Sequence, residues 1–171
     1  MKKITIQNLS YSLPTQWKEV SIRRYSNMQR LVKEAKLQEE PDILIALKTV
    51  AALIDCEYSV LLSIKSEEYS AIVEMLSFCK TPPVKTNNKV LTIDKVQYSF
   101  IKDLTQLTMG QTIDLEMVVN DSNDSNFIMN VLPLLVGKEG DEFTKELYTK
   151  RKELFADNIN ILDALYVVDF F

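Results

Sequence analysis

The chain has 171 residues, of which 46% are hydrophobic and 26% are charged, a composition that predicts one globular domain with a sizeable core. The net charge of −4 argues against a surface that neutralises nucleic-acid phosphates, and the sequence contains no histidine for the usual metal sites or catalytic triads. We therefore expect no catalytic residues, no cofactor, no metal site and no nucleic-acid partner.

The N-terminal segment is predicted to hold a short strand and then a helix. Residues Ile4 to Ile6 alternate as a strand would, and Ser12-Leu13-Pro14 indicates a turn. Apolar residues at helical spacing predict a helix from Ile22 to about Leu37. We expect Trp17 and Tyr25 to anchor the start of this helix.

Two further helices are predicted before Pro82-Pro83. The segment from Asp42 to Ile54 is apolar on nearly every side, which makes it the best candidate for a central buried helix. A short helical turn near Ser59 leads to a helix that Ser66 opens. Pro82-Pro83 stops that helix, because proline cannot continue one.

A β-hairpin is predicted after these prolines. Two β-prone runs, Lys89 to Ile93 and Val96 to Ile101, are joined by Asp94-Lys95, which indicates a tight turn. An isolated hairpin is marginal in water. We therefore expect it to pair with the Ile4 to Ile6 strand, to lie on the helices, or to pair with another chain.

The sequence Thr108-Met-Gly-Gln111 fits a capping box, in which an N-cap hydroxyl and an N3 amide satisfy each other's backbone groups. A helix should therefore begin near Met109. Helical spacing predicts one face that packs on the core and one that faces solvent. We expect Ile113, Met117 and Val118 on the core face, and Gln111, Asp114 and Glu116 on the solvent face.

The remaining sequence predicts three more helices. The first begins near Asn126, and Pro133 should kink or end it. Asp141 is a reasonable N-cap for the second, in which Glu146 and Lys150 can pair across one turn. The third is predicted over Ile161 to Phe171.

Cys56 and Cys79 both lie within apolar helical patterns, where a free thiol behaves as a small hydrophobe. We expect both to be reduced and buried. No apolar run reaches the roughly 20 residues of a membrane span, so we expect a soluble protein without a membrane partner.

Together these features predict an α+β, mainly α-helical fold: a single-domain helical bundle over residues 1–171 with a small antiparallel β-hairpin or sheet. Its expected parts are an N-terminal strand and helices over 1–81, the hairpin over 84–101, and C-terminal helices over 108–171.

The order of these features resembles that of small proteins of tailed bacteriophages, including those of crAss-like phages of gut bacteria. The residues that carry the resemblance are Leu13-Pro14, Trp17, Val20, Ile22, Tyr25, Asp103-Leu104, the segment Leu107 to Leu115, Tyr148, Arg151 and Phe170-Phe171. Such proteins are structural components of the virion (connector, tail, internal ring or packaged cargo) or tail-assembly chaperones. The resemblance thus implies a non-enzymatic protein, made in the cytoplasm of the bacterial host and placed in the virion, with copies of itself and other virion proteins as partners.

Aromatic and apolar residues near the predicted strands and chain ends are the candidates for a partner interface. They are Trp17, Tyr25, Tyr98, Phe100, Val167, Phe170 and Phe171. Two phenylalanines at the end of the sequence would form an apolar patch if exposed. Either the last helix folds back so that Val167, Phe170 and Phe171 complete the protein's own core, or these residues dock into a partner.

Overall fold

The computed structural model describes residues 1–88, 90–101, 103–121, 124–138 and 140–169. Over these residues the chain forms eight α-helices and two small antiparallel sheets, which confirms the α+β, mainly helical fold class. Contacts divide the chain into two compact units, Met1–Val20 with Arg24–Pro83, and Ser21–Arg23 with Val84–Phe171. That the two form a single domain stays a prediction.

The first unit opens with a hairpin that the sequence analysis missed. Strand β1 (Lys2–Ile6) pairs with β2 (Leu9–Leu13) in antiparallel register, from Lys2 opposite Leu13 to Ile6 opposite Leu9. Gln7 and Asn8 join them with φ values of 51° and 66°, the left-handed conformation of a two-residue hairpin turn. Ser12 and Leu13, predicted to lie in a turn, are therefore the last two residues of β2, and Pro14 follows the strand.

Helices make up the rest of the first unit. Helix α1 (Ile22–Leu37) and α2 (Asp42–Ile54) have the predicted bounds, and α3 (Tyr58–Leu61) is the expected short turn. Helix α4 (Ser66–Met75) continues as a 3-10 turn over Ser77–Lys80 before the prolines.

Helix α2 is less central than predicted, because only its second half is buried. The buried residues are Leu47, Val50, Ala51, Ala52, Leu53 and Ile54. In the first turn Ile43 is exposed, and further along the helix Lys48 forms an ion pair with Glu40 at 2.6 Å. The apolar first turn of α2 is thus a surface feature.

The second unit contains the predicted hairpin within a three-stranded sheet. Strand β3 (Val90–Ile93) pairs with β4 (Val96–Phe100), and β4 also pairs with β5 (Val136–Gly137). The hairpin does not pair with Ile4 to Ile6, so that alternative was wrong. Lys89, the predicted first strand residue, lies outside the described residues.

Four helices complete the second unit: α5 (Met109–Asn120), α6 (Phe127–Leu135), α7 (Lys145–Asn158) and α8 (Ile161–Val168). Helix α6 continues through Pro133 for two more residues before β5 begins. Helix α8 ends at Val168 with Asp169 as its C-cap, and the last two residues of the predicted helix, Phe170 and Phe171, lie outside the described residues.

Helix α6 is the centre of the second unit's core, since it contacts α5, α7, α8 and β5. Its buried residues are Met129, Val131, Leu132, Pro133, Leu134 and Leu135. Ile22, at the start of α1, joins the same core, and its backbone N–H donates to the carbonyl of Ile159 at 3.1 Å. Arg23 pairs with Asp157 on α7 at 2.5 Å, which also ties residues 21–23 to this unit.

The N-cap of α7 is Thr144, not Asp141 as predicted. The Thr144 hydroxyl accepts the backbone N–H of Leu147 at 3.1 Å. Asp141 instead forms an ion pair with Arg151, whose side chain is buried. A buried guanidinium requires a carboxylate partner, and that requirement outweighs the capping preference of Asp141.

Candidate protein interface

The capping box predicted at Thr108 is present and begins α5. The Thr108 hydroxyl accepts the backbone N–H of Gln111 at 3.3 Å, and the Gln111 side-chain oxygen accepts the backbone N–H of Thr108 at 3.0 Å. Gln111 is 6% exposed, so this reciprocal pair lies on the inner side of the helix.

Helix α5 is rotated relative to the prediction. Its buried residues are Gln111 and Leu115, and Val118 is partly buried as expected. Ile113 and Met117, predicted to face the core, are 51% and 67% exposed. Because α5 has apolar residues around most of its circumference, periodicity alone could not choose the side that faces α6.

The exposed apolar residues of α5 form a continuous stripe, which we call the outer face of α5: Met109, Ile113 and Met117. Successive members are four residues apart and so lie one helical turn above each other. Met109 is 75% exposed. A contiguous exposed apolar surface of this kind marks an interaction site more often than scattered single residues do.

Carboxylates border the outer face of α5. Asp114 and Glu116 are both exposed and, at about 100° of rotation per residue, lie on opposite flanks of the stripe. From Asp103 to Gly137 the sequence has five acidic residues and no lysine or arginine. The whole chain has 24 acidic and 20 basic residues, so the other segments nearly balance at 19 and 20. The excess of negative charge in the sequence therefore falls in the segment that contains α5.

Two of the predicted interface residues form an aromatic cluster within the first unit. The ring of Trp17 lies edge-on to Tyr25 at 5.9 Å and to Phe78 at 5.1 Å between centroids. The indole N–H of Trp17 donates to the Thr81 carbonyl at 2.8 Å. These contacts agree with the prediction that Trp17 and Tyr25 anchor the start of α1.

The remaining predicted interface residues lie in the second unit. Tyr98 is edge-on to Phe155 at 5.1 Å, Phe100 lies 5.5 Å from Tyr166, and Val167 is buried in the core. Phe170 and Phe171 lie outside the described residues. An interface at these positions stays a prediction. The outer face of α5 was not predicted, because Ile113 and Met117 were expected to face the core.

Three further features are described for the part of the chain that the structure covers. There, no group of three or more histidine, cysteine, aspartate or glutamate side chains is arranged to hold a metal ion. No helix formed by those residues is long and apolar enough to cross a membrane. Cys56 and Cys79 are free thiols and only partly buried, although both were expected to be buried.

A search of protein-family models, curated proteins and solved structures found no match to this chain.

Proposed function

We propose that this chain is a non-enzymatic structural protein of a tailed-phage virion, a component of the connector, the tail or an internal ring, or a packaged cargo protein. It acts through contacts with copies of itself and with other virion proteins, and is made in the host cytoplasm. The resemblance noted from the sequence supports the phage setting. The exposed outer face of α5 supports action through protein contacts.

A partner that covers the outer face of α5 would gain free energy from burial of its apolar side chains. Burial of apolar surface is favourable by about 25 cal/mol per Å². Met109, Ile113 and Met117 leave most of that gain unused, since each is more than half exposed. A partner that covers all three gains this free energy on association.

Mass spectrometry of purified particles tests the proposal. A phage that encodes this chain is grown, and its particles are separated from lysate by density-gradient centrifugation. We expect the chain in particles at a fixed ratio to the major virion proteins. Its absence from particles, with abundant chain in the lysate, contradicts a structural role.

The alternative is a tail-assembly chaperone that binds a virion protein and then leaves. Two features favour a releasable contact. The methionines of the outer face of α5 can adapt to different surfaces, and the bordering carboxylates of Asp114 and Glu116 remain hydrated at the rim of the contact. A chaperone is present in infected cells and absent from mature particles, so the same measurement separates the two roles.

A further inference from the structure

The outer face of α5 combines an apolar stripe with carboxylates on both flanks, and this combination specifies the chemistry of its partner. We infer that it binds a basic amphipathic helix of another protein, with aliphatic residues along one side and lysine or arginine beside them. This inference rests on the proposed function, because it names the partner for that protein contact. Helix-on-helix recognition of this kind uses apolar anchors at i, i+3, i+4 and i+7.

Charge complementarity selects a basic partner. Asp114 and Glu116 border the stripe, and no lysine or arginine occurs in the sequence between Asp103 and Gly137. A basic helix on this face would place its cations beside these carboxylates while its aliphatic residues cover Ile113 and Met117. An acidic helix would meet like charges there, and like charges at an interface are strongly unfavourable.

A second copy of the chain is a poorer occupant. Pairing of two outer faces of α5 would bring Asp114 and Glu116 of each copy toward each other. In the described part of the chain, the exposed side of α7 carries Lys145 and Lys150 but no exposed apolar residue, and that of α1 has only Leu37. Neither helix offers the required aliphatic stripe with basic flanks.

A designed peptide tests the inference on the whole chain. The probe is a leucine–lysine peptide with leucines at helical spacing. Its controls are a scrambled peptide of the same composition and a leucine–glutamate peptide with the same leucine pattern. We expect calorimetry to show binding of the leucine–lysine helix, weaker binding of the scramble and no binding of the leucine–glutamate helix.

Variants map the binding to the outer face of α5. Ile113→Asn combined with Met117→Gln should raise the Kd of the leucine–lysine peptide about 10-fold or more. Asp114→Asn combined with Glu116→Gln should also raise it and flatten its dependence on salt. The matched controls are Ile43→Asn, at an equally exposed isoleucine of α2, and Glu74→Gln on α4, which should leave the Kd unchanged. Circular dichroism verifies the fold of each variant.

Three results would overturn the inference: equal binding of the helical and scrambled peptides, a Kd unaffected by both α5 double variants, or a dimer that dissociates when Ile113 and Met117 are replaced. If the apolar double variant fails to fold, the Kd of the leucine–lysine peptide for the Asp114/Glu116 double variant still tests the inference. Peptide binding tests only the partner chemistry of the outer face of α5, whereas particle composition tests only whether the chain is part of the virion. If the chain is found in particles but does not bind the leucine–lysine peptide, only this inference is refuted. If the chain binds the peptide but is absent from particles, only the virion role is refuted.

Discussion

The hydroxyl oxygen of Thr108 accepts the backbone N–H of Gln111 at 3.3 Å, while the side-chain oxygen of Gln111 accepts the backbone N–H of Thr108 at 3.0 Å. This pair begins α5 and holds Gln111 on its buried side. Leu115, one turn later, is then buried as well, and Met109, Ile113 and Met117 are left in solvent. The exposed apolar face thus lies on the side of α5 opposite Gln111 and Leu115.

Replacing Thr108 by alanine should lower the free energy of unfolding by about 0.5–2 kcal/mol, because the backbone N–H of Gln111 loses its cap. Urea denaturation measures the change. Thr149→Ala is the matched control, since the Thr149 hydroxyl only donates to the Lys145 carbonyl within α7. If the Thr108→Ala chain is as stable as the parent, the capping box does not stabilise α5.

The orientation of α5 predicts opposite outcomes at two nearby positions. Leu115→Ala should destabilise the chain by about 2–5 kcal/mol, because it leaves a cavity in the core. Ile113→Ala should change stability by less than about 0.5 kcal/mol, because Ile113 is exposed. Thermal or urea unfolding of the two variants compares them directly. If Ile113→Ala destabilised the chain more than Leu115→Ala, the orientation of α5 predicted from the sequence would be correct.

The bounds of helices and strands were largely readable from the sequence because their signals are local. Proline and capping residues delimit α2 and α5, and the Asp94-Lys95 pair marks the turn between β3 and β4. The two-residue strand β5 carried no such signal, since Val136–Gly137 becomes a strand only by pairing with Ser99 and Phe100.

Side-chain orientation was harder to predict, because it depends on tertiary contacts. Apolar residues on several sides of α5 left its rotation open, and contact with α6 decides it. Likewise, Asp141 looked like an N-cap until the structure placed buried Arg151 beside it. The candidate interface was missed for the same reason: exposure of an apolar residue cannot be inferred from its type.

The ion pair that Asp141 forms with the buried Arg151 should matter more for stability than an ion pair between two exposed side chains. Asp141→Ala leaves the Arg151 guanidinium buried without its carboxylate, at a cost of about 1–3 kcal/mol. Glu146→Ala is the control, because Glu146 and Lys150 also pair, at 2.6 Å, but both are exposed. That variant should show no measurable change in urea denaturation. Equal effects in the two variants would show that burial of Arg151 has no energetic consequence.

The turn of the second hairpin offers a stabilising substitution. Lys95 has a φ of 67°, a left-handed conformation that glycine adopts at lower cost than lysine. Lys95→Gly should therefore raise the free energy of unfolding by up to about 1 kcal/mol. Gln97→Gly, within β4, should lower it by about 0.5–1 kcal/mol. Thermal unfolding distinguishes the two, and a destabilised Lys95→Gly chain would contradict the turn conformation.

The two cysteines should react slowly in the folded protein. Burial raises the pKa of Cys56 to about 11, with a further contribution from the carboxylates of Asp55 and Glu57, and burial alone raises the pKa of Cys79 to about 11. At pH 8 the thiolate fraction should therefore be roughly 100-fold lower than that of an ordinary thiol. Alkylation by iodoacetamide, followed by mass spectrometry, should be slowed accordingly relative to the urea-unfolded chain.

The same shifts set a pH dependence of stability. Below the unfolded pKa of about 8.5 both states hold the protons, so the full stability is present. As the pH rises toward 11 the unfolded chain ionises first, and the free energy of unfolding should fall. Asp55→Asn provides an internal control, because it should lower the pKa of Cys56 and speed its alkylation while Cys79 stays unchanged. Equal alkylation rates in folded and unfolded chains would show that neither thiol is protected by burial.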